Sequence, residues 1–147
     1  MTIPERNFKM LAKLIDVEFI RDNRFDAARS KVPGYMDLHI DYLHGNELAA
    51  LIALSHYYKV NGDMVSDPDM EVHVNFVDKT VVALTYQDTF GYRAVALADP
   101  PRRARVQREL NSFLATWLRN LVSQGHGIDA ATIRTADSHR VVQAHEG

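Results

Sequence analysis

Apolar residues recur at two different spacings along the chain, and the changes of spacing outline a fold. Near the start Phe8, Leu11, Leu14 and Ile15, with Met10 and Val17 beside them, follow helical spacing, which predicts a helix from about Pro4 to Phe19. Pro4 suits the first turn, where its missing N–H is not needed. Arg21 to Val32 is strongly charged, with a short helical turn expected at Asp26–Ser30, and Pro33-Gly34 stops any helix. From Tyr35 the period becomes two: Met36, Leu38, Ile40 and Tyr42 alternate with Asp37, His39 and Asp41, the pattern of a strand with one face in the core and one in water. After a turn at His44-Gly45-Asn46, Leu48 to Lys59 is apolar on both faces and is expected at the centre of the sheet.

Asn61-Gly62-Asp63 through Asp67-Pro68-Asp69 reads as a polar loop. Met70, Val72, Val74 and Phe76 then alternate with Glu71, His73 and Asn75, and strands follow at Val81–Gln87 and Tyr92–Leu97, with a turn at Asp88–Gly91. A three-residue loop at Asp78–Thr80 keeps both faces consistent: Phe76 opposes Val82, Val74 opposes Leu84, Val72 opposes Tyr86, His73 opposes Thr85 and Glu71 opposes Gln87. Asp99 can cap a long helix carrying Pro100 and Pro101 in its first turn and a stripe of Val106, Leu110, Phe113, Leu114, Trp117, Leu118 and Leu121, with Gly125 as its stop. The connections are too short for parallel crossovers, so the expected fold is α+β: an antiparallel β-meander of about five strands with the N-terminal and long C-terminal helices packed on one face. The chain reads as one domain, with a helix and connector over 1–33, the sheet over 34–98, the helix over 99–125, and a weakly patterned tail over 126–147 that is either a short helix or disordered.

Composition narrows the classes. The chain has 147 residues, 46% hydrophobic and 24% charged, with no cysteine and a net charge of -2. Disulfides, thiolate metal sites and cysteine nucleophiles are excluded, and no apolar run approaches the roughly 20 residues of a membrane span. A cytoplasmic setting is expected, and the near-neutral charge makes nucleic acid an unexpected partner.

Four constellations carry candidate chemistry. Asp37, His39 and Asp41 share one strand face, and Glu71 and His73 share the same type of face on another; if the two strands meet, the set can hold a divalent metal or serve acid–base chemistry. The plain alternative is the wet side of a one-sided sheet. Asn61, Asp63, Asp67, Asp69 and Glu71 offer oxygen ligands of the calcium type but lack the order of an EF-hand. Arg102, Arg103, Arg105 and Arg108, joined by Arg93, crowd the start of the long helix against its dipole, suited to a carboxylate or phosphate partner or to Glu109 as an internal one. His56-Tyr57-Tyr58 and the group Tyr86, Phe90 and Tyr92 read either as the cover of the core's end or as a contact patch, Tyr57 and Tyr92 being the candidate partner-binding residues. No nucleotide, phosphate-loop, zincin or nucleophile-elbow motif is present, and no cofactor is expected.

The run Asn61-Gly62-Asp63 to Asp67-Pro68-Asp69-Met70-Glu71, the hairpin after it, and the helix with Phe113-Leu114, Trp117-Leu118 and Gly125 resemble two related sets of small proteobacterial proteins of unknown function. One set is chromosomal; the other is often carried on integrative elements and phages. The resemblance covers roughly Gly34 to Gly125, implies a bacterial cytosolic setting and a mobile-element origin, and supplies no catalytic position. Two functions are therefore expected as alternatives. The favoured one is a non-enzymatic accessory protein that binds a protein partner, with a homodimer as its self-associated form. The other is a small metal-assisted or acid–base enzyme built on Asp37, His39, Asp41, Glu71 and His73.

Overall fold

The computed structural model describes residues 1–22, 25–129 and 133–134, with side chains at all of these except 58–60, 64, 66 and 133–134. Thr2 starts the first helix, α1 (Ile3–Leu14), with a reciprocal cap: its hydroxyl accepts the Glu5 N–H and the Glu5 carboxylate accepts the Thr2 N–H. The single helix expected to reach Phe19 is broken at Ile15–Asp16. The Asp16 carboxylate accepts the Glu18 N–H at 3.0 Å and caps a second short helix, α2 (Val17–Arg21). An aspartate gains more from capping a new helix than from the interior of an old one, and that competition decides the break.

The strands are β1 (Ala27–Ser30), β2 (Leu38–Gly45), β3 (Ala49–Val60), β4 (Asp63–Asn75), β5 (Thr80–Ala83), β6 (Thr85–Asp88), β7 (Gly91–Ala94) and β8 (Ile133–Arg134). Each pairs antiparallel with its neighbours in the order β7-β6-β4-β3-β2-β1-β8, and β5 lies beside the C-terminal half of β4. The long helix α3 (Arg103–Ser123) packs with α1 over β5, and the apolar stripes of both helices join the inward residues of β2, β3 and β4 in one core. The fold is α+β, an antiparallel sheet with the two main helices on one face. No helix among the described residues is long and apolar enough to cross a membrane.

The expected helical turn at Asp26–Ser30 is instead β1, because Ala28 and Ser30 alternate inward and the segment finds backbone partners along β2 from Leu38 to Asp41. The polar loop expected over Asn61–Asp69 is also strand. Asn61 and Gly62, both at positive φ, make the whole turn between β3 and β4, the hairpin chemistry that an Asn-Gly pair provides. The ladder slips once, between Ser55 and Tyr57, where Asp67 and the cis-linked Pro68 oppose His56; a bulge accommodates the N–H that proline lacks.

The expected β4–β5 register is wrong. Val72 opposes Ala83, His73 opposes Val82 and Val74 opposes Val81, across a four-residue turn from Phe76 to Lys79. Asn75 builds that turn by accepting the Val77 and Asp78 N–H groups on its side chain, and Lys79 closes it at φ 56°. The strand expected over Val81–Gln87 then breaks at Leu84, whose N–H goes to the Glu71 carbonyl; this shift brings Thr85 beside Glu71 and Gln87 opposite Asp69. The last expected strand stops at Ala94 and continues as a 3-10 turn at Val95–Leu97. Asp99 makes no side-chain cap; a 3-10 turn at Pro100–Arg102 leads into α3 instead. Gly125, at φ 94°, ends that helix as anticipated. Of the tail, residues 126–129 and the short strand β8 are described; the rest of the expected helix or disorder over 128–147 lies outside the described residues.

Candidate functional site

The parity read along β2 holds where it matters: Leu38 and Ile40 are fully buried under the helices, and His39 and Asp41 sit half-buried on the opposite, outer face. The meeting of β2 with β4 that a shared metal or acid–base site requires does not occur. Strand β3 runs between them, so Asp41 opposes Ala53 and Ala53 opposes Glu71, while His39 opposes Ser55 and Ser55 opposes Asp69. Two strand spacings, about 9.5 Å, separate the backbones that carry the two acidic sets. Among the described residues no three His, Asp or Glu side chains gather closely enough to share a metal ion. The oxygens of the calcium-type set are likewise spread out, from Asn61 in the β3–β4 turn along β4 at Asp63, Asp67, Asp69 and Glu71.

These residues border two separate concavities instead, one on the outer face and one at the β1 edge of the sheet. Asp41, Asp69 and Glu71 border a groove of about 260 Å³ floored by Ala53 and walled by Leu43, Thr85, Gln87 and Tyr92. The small side chain of Ala53 leaves the space that the flanking carboxylates surround. Burial, and then the Asp69 charge, hold Asp41 above the ordinary carboxylate value against the pull of His39. Glu71 also receives Thr85: its N–H donates to the Thr85 hydroxyl at 3.0 Å. His73, on the same face of β4, stands opposite Leu51 and Val82 outside this groove.

His39 belongs to the other concavity. It faces Arg29 across the β1–β2 ladder and packs edge-on against Tyr57, with ring centroids 4.7 Å apart. Burial, and then the Arg29 cation, lower its proton affinity despite Asp37 and Asp41. It lines a larger cleft of about 1170 Å³ along β1. Asp37 takes a different part: its backbone carbonyl lies 2.8 Å from His56 Nδ1.

The arginines of α3 do not act as one patch. Arg105 and Arg93 both pair with Glu109, at 3.2 and 2.7 Å, and their hydrogen bonds, Arg93 first, hold that carboxyl below its ordinary value. Arg103 donates back to the Ala98 and Ala96 carbonyls and fixes the approach to the helix. Arg102 and Arg108 are exposed and have no ion pair among the described residues. Tyr92 is half-exposed at the groove rim. Phe90, at the tip of the same hairpin, is 96% exposed, and Asp88 stiffens that tip by accepting the Phe90 and Gly91 N–H groups and the Tyr86 hydroxyl. Burial and the bond to Asp88 push the Tyr86 hydroxyl up to about 12. The side chain of Tyr58, read with His56 and Tyr57 as a patch, lies outside the described residues.

Sequence reasoning missed a polar network under the helices. The Trp117 indole N–H donates to His56 Nε2 at 3.1 Å, so His56 carries its proton on Nδ1 and donates to the Asp37 carbonyl. His126 Nδ1 and the Gly127 N–H both meet the Ser30 hydroxyl, at 2.9 and 3.0 Å, while His126 Nε2 is buried with no hydrogen bond among the described residues. Asn111 accepts the Ala83 N–H at 2.7 Å and Asn7 donates to the Val81 carbonyl at 3.3 Å, so both helices satisfy the open edge of β5. The one signal in the sequence was an asparagine on each helix's apolar stripe.

No curated protein and no solved structure matches this chain. A family model described as a domain of unknown function (DUF6908) matches residues 9–127, which takes in the second half of α1, α2, the sheet through β7, and α3 with the Ser30–His126 junction. The chain belongs to the DUF6908 family of domains of unknown function.

Proposed function

We propose that this protein is a non-enzymatic interaction protein whose uncovered sheet face binds a protein partner through the acidic groove. One observation carries the reading: Asp41, Asp69 and Glu71 border one groove floored by Ala53, where burial and the Asp69 charge already oppose ionisation of Asp41. A lysine or arginine side chain from a partner relieves that repulsion, and Tyr92 at the rim supplies an aromatic face for the same cation. Phe90 offers an apolar anchor on the same rigid hairpin. A bacterial cytoplasmic setting on a mobile element or phage, and self-association into a homodimer, belong to the same proposal; the first is supported by the sequence resemblance, the second by the exposed aromatic residues.

Affinity capture from bacterial lysate tests it, comparing wild type with Asp41→Lys plus Glu71→Lys and with Arg102→Glu plus Arg108→Glu. The expected result is a partner lost with the groove variant, retained with the arginine variant, and bound by the purified protein less tightly as salt rises. An identical set of captured proteins for all three removes the groove from the function. Light scattering at micromolar concentration reads the oligomeric state directly.

A further inference from the structure

The large cleft has the opposite charge from the groove. It opens along β1 between the end of α1, the start of α2 and the segment after α3, and its apolar lining comes from Leu14, Ala28 and Ile128 among others. Three cations border it from separate positions: Lys13 in the last turn of α1, Arg29 on β1 and Lys31 just beyond it. None of the three has an ion pair among the described residues. The acids that share the lining are Asp16 and Asp129, and Asp16 is occupied capping α2. Arg29 faces His39 across the ladder, cation against imidazole, and no carboxylate stands in the register position between them.

The wall opposite these cations is already in place. Ser30 holds both His126 and the Gly127 N–H, and the Ile128 N–H donates to the Leu14 carbonyl at 2.6 Å, so residues 126–128 are tied to β1 and to α1 at once. A cleft with fixed walls spends little of a ligand's binding energy on ordering itself. We propose that this cleft binds a small organic molecule carrying two or more phosphate or carboxylate groups, with Arg29 and Lys31 as its principal contacts and Lys13 as the third. Arginine offers a forked pair of donors to such an oxyanion, while the two lysines supply charge without fixed geometry. The volume exceeds what a lone phosphate needs and suits a ligand with an apolar body against the accessible side chains of Ala12, Val17 and Ala27.

The experiment follows backbone amide shifts of the full-length isotope-labelled chain as inorganic pyrophosphate or citrate is added at constant ionic strength. Support consists of saturable shifts confined to residues 27–31 and 125–129 that weaken about tenfold or more in Arg29→Gln plus Lys31→Gln, while Arg108→Gln leaves them unchanged. Response to pyrophosphate alone assigns a phosphoryl ligand, to citrate alone a carboxylate ligand, and to both a general polyanion site; each supports the proposal. It is overturned if neither anion moves those amides at about 10 mM, a range that covers weak millimolar binding, or if the double variant responds as wild type does. Asp41→Lys leaves anion binding intact, so failure here and failure of the groove reading are separate results.

Discussion

Beneath the helices, Asn111 answers the Ala83 N–H and Trp117 answers His56, so the polar groups there stitch one element to another. On the outer face, Asp41 faces Ala53, and the nearest charge acting on it besides His39 is another carboxylate. Polar side chains under the helices serve the fold; those outside are held in spite of it. That difference is the physical reason to look for ligands on the outer face, because the fold gains nothing in stability from a half-buried carboxylate beside another like charge.

The comparison breaks first at the core. Leu54→Ala, in the central strand with its side chain fully buried under the helices, is expected to cost about 2–5 kcal/mol in urea unfolding. A cost below about 1 kcal/mol would mean that the apolar side of β3 is not the packed one. Next comes Asn111→Ala, which leaves the Ala83 N–H buried without an acceptor and is expected to cost about 1–3 kcal/mol. Hydrogen exchange should then quicken at Ala83 first, since the edge strand β5 loses its tie to α3.

How much of this was legible follows the same division. The stripe from Leu110 to Leu121 and the alternation at Leu38–Asp41 are periodic signals, and periodicity survives without knowing the partners. Strand β1 was not legible, because four residues, Ala27–Ser30, carry too little pattern to outweigh a charged neighbourhood. The β4–β5 register turned on Asn75 capping its own turn, a local side-chain contact that strand patterning does not encode. The groove was hidden for a topological reason. Asp41 and Glu71 were both identified, but the place of Ala53 between them depends on β3 lying between β2 and β4, which the sequence suggested only as a central strand. The junction of Ser30 with His126 joins positions 96 apart, beyond any local signal.

The pH dependence sharpens the comparison between faces. His126, buried and beside the His56 ring, and His39, half-buried opposite Arg29, both have folded values below the ordinary 6.5, burial being the main cause in each. The unfolded chain therefore takes up protons first as pH falls. Stability is fully present above about 6.5 and declines through that value toward the folded ones, by at most about 1.4 kcal/mol per pH unit for each proton. Urea midpoints between pH 8 and pH 5 should show this decline, and His126→Gln and His39→Gln should each flatten it in part. A decline that neither variant flattens would mean that neither histidine carries it.

The smallest expected effect is the most telling about the groove. The folded value of Asp41 is raised above 3.8, so ionisation costs the native state more than the unfolded chain. The sign is opposite to that of the histidines: the contribution of Asp41 to stability is lost as pH rises from about 3.8 through the folded value and stays lost at neutral pH. Asp41→Asn removes that penalty. Because the carboxylate is only half-buried and water screens it, the gain at pH 7 should be a few tenths of a kcal/mol, about 0.5 at most, and should vanish near pH 4. Stabilisation by Asp41→Asn together with loss of the captured partner would show a carboxylate retained for binding at the expense of stability. A loss of more than about 1 kcal/mol would show instead that Asp41 supports the sheet as Asn111 does, and the distinction between the two faces would fail at the residue that defines it.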